Sequence, residues 1–203
     1  MVIVGQTFTQ MTLTYGGNIM AIYTSGVFPA GGEVGHGGGI VQTKYYKYQD
    51  IRSISTGGNW THITYWDATI TPSDSTNKIL ITAHLDWAGH GDHYTIAARL
   101  YYAVGSGSDS HISDANGQSG HYGGNTEGVF MAAGHQQWDN YGRSGNTAIY
   151  LHSPNTTTEL HYKLYVKDGR DNNVVRINRY HYQTNADYMN YCTCGMLLQE
   201  IAP

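Results

Sequence analysis

Beyond position 39 apolar and polar residues alternate along most of the chain, and the period of that alternation is two. Ile79, Ile81, Ala83, Leu85 and Trp87 fall on one side of an extended segment, with Lys78, Thr82, His84 and Asp86 on the other and Leu80 the one exception. Tyr94, Ile96, Ala98, Leu100, Tyr102 and Val104 repeat the pattern against His93, Thr95, Arg99 and Tyr101. The run Gly89-His90-Gly91-Asp92 between them is turn-forming, so the two segments are expected to pair as a hairpin. Leu160, Tyr162, Leu164 and Val166 alternate with His161, Lys163 and Lys167, after which the polar run to Asn173 turns into Val174-Val175-Arg176-Ile177. Fainter strand patterns cover 40–48, 61–70, 127–133, 147–152 and 191–201.

These segments amount to roughly eight or nine short strands at the spacing of a sandwich. No stretch carries apolar residues at i, i+3, i+4 and i+7 for long enough to make an amphipathic helix. The expected fold is therefore all-β, a single antiparallel β-sandwich of jelly-roll-like type, over residues 39–203. Residues 1–38 read differently. They are nearly uncharged and end in the glycine-rich run 31–39, which predicts a flexible joint or extended arm serving as an attachment segment. Within it Met11, Leu13 and Tyr15 alternate with Thr12 and Thr14, a pattern suited to a strand that pairs with a neighbour.

Composition narrows the function. Only 13% of the residues are charged and the net charge is -4, so the chain has no basic field for a phosphate backbone and nucleic acid is not an expected partner. No apolar run is long enough to insert in a membrane as a helix. The first basic residue is Lys44, so the N-terminus lacks the positively charged start of a cleavable secretory peptide. Tyrosine is abundant at 18 copies and supplies rings with one apolar body and one wet end, which suits surfaces that touch something. Cys192 and Cys194 sit two apart in a strand pattern, a spacing poorly matched to disulfide geometry, and read as small buried apolar residues.

Candidate chemistry was weighed against simpler roles. His90, Asp92 and His93 share one turn, and His111, Asp114 and His121 share the long segment 105–125, but neither set has the convergent spacing of a zinc site. Solvated turn residues are the plainer reading, and no metal or other cofactor is expected. Asp67, Asp86, Asp92, Glu127 and Asp139 offer carboxylates, yet spacing singles out no glycosidase-like pair, so no catalytic residue is assigned and an enzyme is not expected. The stronger candidates are His121, Tyr122, His135, Trp138 and Tyr141, which lie on two polar loops among Asn125, Gln136, Gln137, Asp139 and Asn140. Flat rings flanked by amide and carboxylate groups suit the apolar face and hydroxyls of a saccharide.

The order of several segments resembles a domain of tail-fibre and other virion structural proteins of tailed phages, marine ones especially. The segments are Trp60 to Ile70 leading into Thr71-Pro72-Ser73-Asp74-Ser75-Thr76-Asn77-Lys78-Ile79-Leu80-Ile81, then Ala97-Ala98-Arg99-Leu100, then Tyr150 to Thr157, Leu160 to Leu164, Val175 to Arg179 and Leu197 to Pro203. They span most of 60–203 and leave 1–38 outside the likeness. The resemblance implies a homo-oligomer, a trimer, on a virion surface or otherwise extracellular. Its partners would be further copies of itself, other virion proteins through residues 1–38, and a host surface polysaccharide. The alternative is a purely structural subunit, a capsid decoration protein or filament subunit, assembled through its N-terminal arm.

Overall fold

The structure is a computed structural model and describes residues 10–15, 18–23, 39–88, 96–117, 128–133, 144–168, 174–178 and 193–203. The N-terminal segment contributes strands β1 (Gln10–Tyr15) and β2 (Asn18–Tyr23), paired antiparallel with Met11 opposite Ile22 and Leu13 opposite Met20. The strand expected around Met11 thus pairs within its own segment, as a two-stranded sheet that joins no other strand among the described residues.

The remaining strands form two antiparallel sheets packed face to face. The six-stranded sheet contains β3 (Ile40–Tyr48), β4 (Arg52–Ser55), β6 (Lys78–Ala88), β10 (Ser144–His152), β12 (Val174–Ile177) and β13 (Cys194–Ile201). Its centre is β6, flanked on one side by β10 and on the other by β13 and then β12, with β3 outside β13 and β4 outside β12. The second sheet contains β5 (Thr61–Ile70), β7 (Ile96–Val104), β11 (Leu160–Asp168) and two short edge strands, β8 (Ser110–His111) and β9 (Met131–Ala133). Among the described residues there is no α-helix, only a 3-10 turn at Ser113–Ala115. The fold class is all-β, as the alternation implied.

The alternation also identifies the core. Ile79, Ile81, Ala83, Leu85 and Trp87 are fully buried from one sheet, and Leu160, Tyr162, Leu164 and Val166 meet them from the other. Burial of that many large side chains, at about 1.5–3 kcal/mol each, is the dominant force holding the sheets together. Three expectations need correction. Residues 78–87 and 94–104 do not form a hairpin, because β6 and β7 lie in opposite sheets. The apolar sides of β6 (Lys78–Ala88) and β7 (Ile96–Val104) both face the shared core, so the two strands meet core to core. Asp86, expected on the wet side, is only 5% exposed because β6 at that end is flanked by both β10 and β12. Val104, expected inside, is the last residue of β7 and is exposed.

Strand β5 carries a bulge that its sequence hid. Lys163 faces Asp67 and Tyr165 faces His62, so β5 spends more residues than β11 over the same span. Tyr65 takes up the slack at φ 67°, a left-handed conformation uncommon for a ring-bearing residue, and stands out with the Arg52 guanidinium 5.4 Å from its ring centre. The bulge restores the inward phase at Trp66, which stacks on Tyr48 of β3 at 5.3 Å.

Cys194 is buried, as expected, but acts as more than a small apolar filler. Its thiol donates to Asn178 Oδ1 at 2.9 Å and accepts the Asp86 backbone N–H at 3.1 Å. Asn178, at φ 58°, donates through Nδ2 to the carbonyls of Tyr48 and Asp50, so one buried polar knot joins β3, β6 and β13. Cys192 lies outside the described residues.

Candidate functional site

His121, Tyr122, His135, Trp138 and Tyr141 all lie outside the described residues, as do His90, Asp92 and His93. What the structure does place is a cleft at the margin where β10 meets the ends of β7 and β8. It encloses about 350 Å³ and is lined by Tyr102, His111, Ile112, Ser113, Asp114, Tyr150, Leu151, His152 and Ser153. The loop wall is fixed by backbone bonds: the Ile112 N–H donates to the Leu100 carbonyl at 3.0 Å, and Ala115 and Asn116 close the 3-10 turn onto Ile112 and Ser113.

His152 closes this margin between the sheets. It is buried at the end of β10, and its Nδ1 is hydrogen-bonded to the Tyr162 hydroxyl at 2.8 Å. Tyr102 and Tyr162 both present ring edges or faces to the imidazole, at 4.7 and 5.7 Å between centres. Burial lowers the His152 pKa to about 4, so the ring is neutral at physiological pH and serves as a hydrogen-bonding wedge. Burial likewise raises the Tyr162 hydroxyl, which stays protonated. Across the cleft, burial and then the charge of Asp114 raise the Tyr150 hydroxyl, leaving it a neutral donor. The cleft therefore offers a carboxylate, hydroxyls and two tyrosine rings, a set that can grip a hydroxyl-rich ligand.

His111 connects the cleft to the outer face of the five-stranded sheet. Its ring stacks on Tyr101 at 5.0 Å, Tyr101 lies 4.1 Å from Tyr165, and Tyr165 stacks on His62 at 5.3 Å. These rings come from β8, β7, β11 and β5 in turn, a cross-strand ladder whose faces are taken up by one another. Beside it the Lys163 ammonium sits 2.7 Å from Asp109 and 3.9 Å from Asp67, and Tyr165 donates to Asp109 at 2.5 Å. Burial pushes the Asp109 carboxyl up, but the bonds from Lys163 and Tyr165 outweigh it and hold the group below its ordinary value. The His62 ring is lowered by burial, and its Nε2 lies 3.0 Å from Asp67 Oδ1 in a poor hydrogen-bonding orientation. Two of the carboxylates on this face are thus clamped around a lysine and do not face a cleft. Of the carboxylates weighed from sequence, Asp67 belongs to this clamp and Asp86 is buried, while Asp92, Glu127 and Asp139 lie outside the described residues. Among the described residues no three His, Cys, Asp or Glu side chains converge as a metal site would require.

Sequence reasoning passed over Tyr102, Tyr150 and His152 as cleft residues. The available signal was phase: each is an aromatic side chain with a polar atom on the inward side of its strand, close to the strand's end, where a fully apolar residue is the ordinary choice.

No family model matches the chain, and no curated protein matches it. Among solved structures it is similar to a chain of infectious bursal disease virus, Gx strain, with a TM-score of 0.37 and 9% identity over 97% of this chain and 42% of that one. The Gt strain gives a TM-score of 0.37 at 8% identity, covering 97% and 47%, and the VP2 subviral particle of the same virus gives 0.33 at 8%, covering 81% and 42%. The chain spans less than half the length of those solved chains. Likeness at this level carries no argument about fold or function.

Proposed function

We propose that the chain is a non-enzymatic structural module of a virion-type assembly, working as a homo-oligomer that packs through the outer face of its six-stranded sheet. The observation that carries this reading is a row of residues on that face. Pairing sets Tyr45, Leu197, Thr82 and Ile149 side by side across β3, β13, β6 and β10, with Leu80 and Leu151 in the next row. Tyr45 is 62% exposed, Ile149 66% and Leu151 44%. A sheet face that exposes Tyr45, Ile149 and Leu151 around Thr82, rimmed by Lys47, His84 and Lys78, suits an interface with another copy. Placement in a virion, and the trimer in particular, rests on the phage-type order of sequence segments. Sedimentation of the full chain tests the reading: a mass of several copies is expected, and a monomer at every concentration would overturn it.

The cleft favours a second reading, attachment to a host surface polysaccharide. Tyr102, Tyr150 and Asp114 would supply ring faces and a hydroxyl acceptor, and many weak sites on one particle would add up. Binding to a glycan array that Tyr150→Ala weakens several-fold is the expected result. Shortened polysaccharide after incubation would instead reveal an enzyme and refute the non-catalytic reading.

A further inference from the structure

The edges of the two sheets are unequal in length and protection. Strands β8 and β9 are too short to template another strand, β4 is four residues long, and β5 is broken by the bulge at Tyr65. Strand β3 carries Lys44 and Lys47 and an irregular register at its start. Charges, bulges and brevity are the usual means of stopping edge-to-edge pairing. Strand β10 uses none of them. Its sequence, SGNTAIYLH, contains no Lys, Arg, Asp, Glu or Pro, its register against β6 is unbroken over nine residues, and among the described residues β6 is its one paired strand, with β9 touching only its start, where Asn146 Nδ2 donates to the Ala132 carbonyl at 3.3 Å.

The same chain holds a strand pair in need of a partner. Among the described residues β1 and β2 join no other sheet, and a lone two-stranded hairpin is marginally stable in water. Residues 10–23 carry no charge, and Glu33 is the one charged residue in 1–38, so nothing in this segment would be repelled by the basic rim near β10. An extended run over residues 24–38 reaches on the order of 50 Å, far enough to leave its own sandwich.

We infer that the exposed edge of β10 receives the β1–β2 hairpin of a neighbouring copy, extending the six-stranded sheet across the subunit boundary. This rests on the assembly reading above and adds which segment fills which edge. The addition covers Ile149 and Leu151, supplies backbone partners to the outward amides of β10, and leaves each copy both donor and acceptor, as a closed ring of copies requires.

Two full-length variants test it, Leu13→Asp in the hairpin and Ile149→Lys on the edge, with circular dichroism confirming that each keeps its strand content. The expected result is that each alone is a monomer, that mixing them yields a two-chain complex of one intact hairpin on one intact edge, and that amide exchange in 147–152 slows by on the order of tenfold in that complex. If the variants assemble as the parent does, or the mixture fails to associate while the parent assembles, hairpin exchange is wrong and the assembly reading survives. A parent chain that is monomeric with slow exchange in 147–152 would mean that the hairpin folds back on its own copy, and one that is monomeric with fast exchange there would mean that the edge stays empty; either overturns both.

Discussion

The two long margins of the six-stranded sheet, at β3 and at β10, solve the same problem of closing a sandwich in opposite ways. At β3 the closure is polar and tied down. Tyr46 donates to the Thr69 carbonyl of the opposite sheet at 2.6 Å, and Gln42 donates to the Glu200 carboxylate at 2.5 Å. Glu200 is fully buried and also accepts from Ser73 N–H, Ser73 Oγ and Asn77 Nδ2, pinning the 71–77 loop to the end of β13. At β10 the closure is aromatic: His152 wedges against Tyr102 and Tyr162, and Trp87 reaches back to Asn146 at 2.8 Å. The lesson is that a margin finished with charge and hydrogen bonds repels company, whereas one finished with rings and an uncharged edge leaves room for a ligand or another strand.

The largest effect that would break this contrast comes from Trp87. Its side chain is fully buried under β10, and Trp87→Ala removes both the packing and the indole donor to Asn146. A loss of about 4 kcal/mol in urea unfolding is expected. At the other margin Glu200→Ala strands four donors, with an expected cost of about 3 kcal/mol by the same measurement. Roughly equal losses from Asp50→Ala, an exposed carboxylate two residues beyond β3, and from Glu200→Ala would mean that the buried carboxylate is not the clasp.

Acid should separate the margins. Burial lowers His152 to about 4 from its ordinary 6.5, so as pH falls through that interval the unfolded chain takes up a proton before the folded one does. The contribution of His152 is complete above 6.5 and is lost as pH drops toward 4, with a slope of at most about 1.4 kcal/mol per pH unit. Burial raises the Glu200 carboxyl, but the bonds from Asn77, Gln42 and Ser73 outweigh it and bring it to about 2, so its contribution is complete above 4.5 and fades only toward pH 2. Thermal melts from pH 7 to pH 4.5 should therefore lose stability in the parent and far less in His152→Gln, with the β3 margin silent throughout.

The smallest effect on folding is expected from Lys44→Thr with Lys47→Thr, about 0.5 kcal/mol or less because both side chains are exposed. Stripping those charges should nonetheless give β3 an edge like that of β10, seen as added mass or aggregation in sedimentation. An unchanged mass would show that lysine is not what guards this edge.

Legibility from sequence followed the physical scale of each feature. The inward residues of β6 and β11 were readable because a pleated strand exposes alternate sides regardless of its neighbours. The pairing of β6 with β10 was not, since His84 and Thr147 meet at 3.0 Å from 63 positions apart, and nothing near either residue announces the other. The glycine-rich run 89–92 favours a local hairpin by sequence, yet β6 and β7 lie in opposite sheets with their apolar sides in one core. The bulge at Tyr65 was hidden for a related reason: extra residues in one strand are visible only against the strand that lacks them. The cleft arises where three separate segments end together, and the ring-bearing residues first selected on the loops fall outside the described residues.

What the sequence determined by itself was an all-β chain, the side of each strand that turns from water, and an uncharged N-terminal segment unlike the rest. Tertiary structure alone decided which strands became neighbours, that Glu200 and Cys194 would be held in buried polar knots, and that, among the described residues, the uncharged β10 would pair with β6 alone. The division is physical: alternation is a property of one strand in contact with water and oil, whereas pairing and margins are set by the total area two sheets can bury against each other.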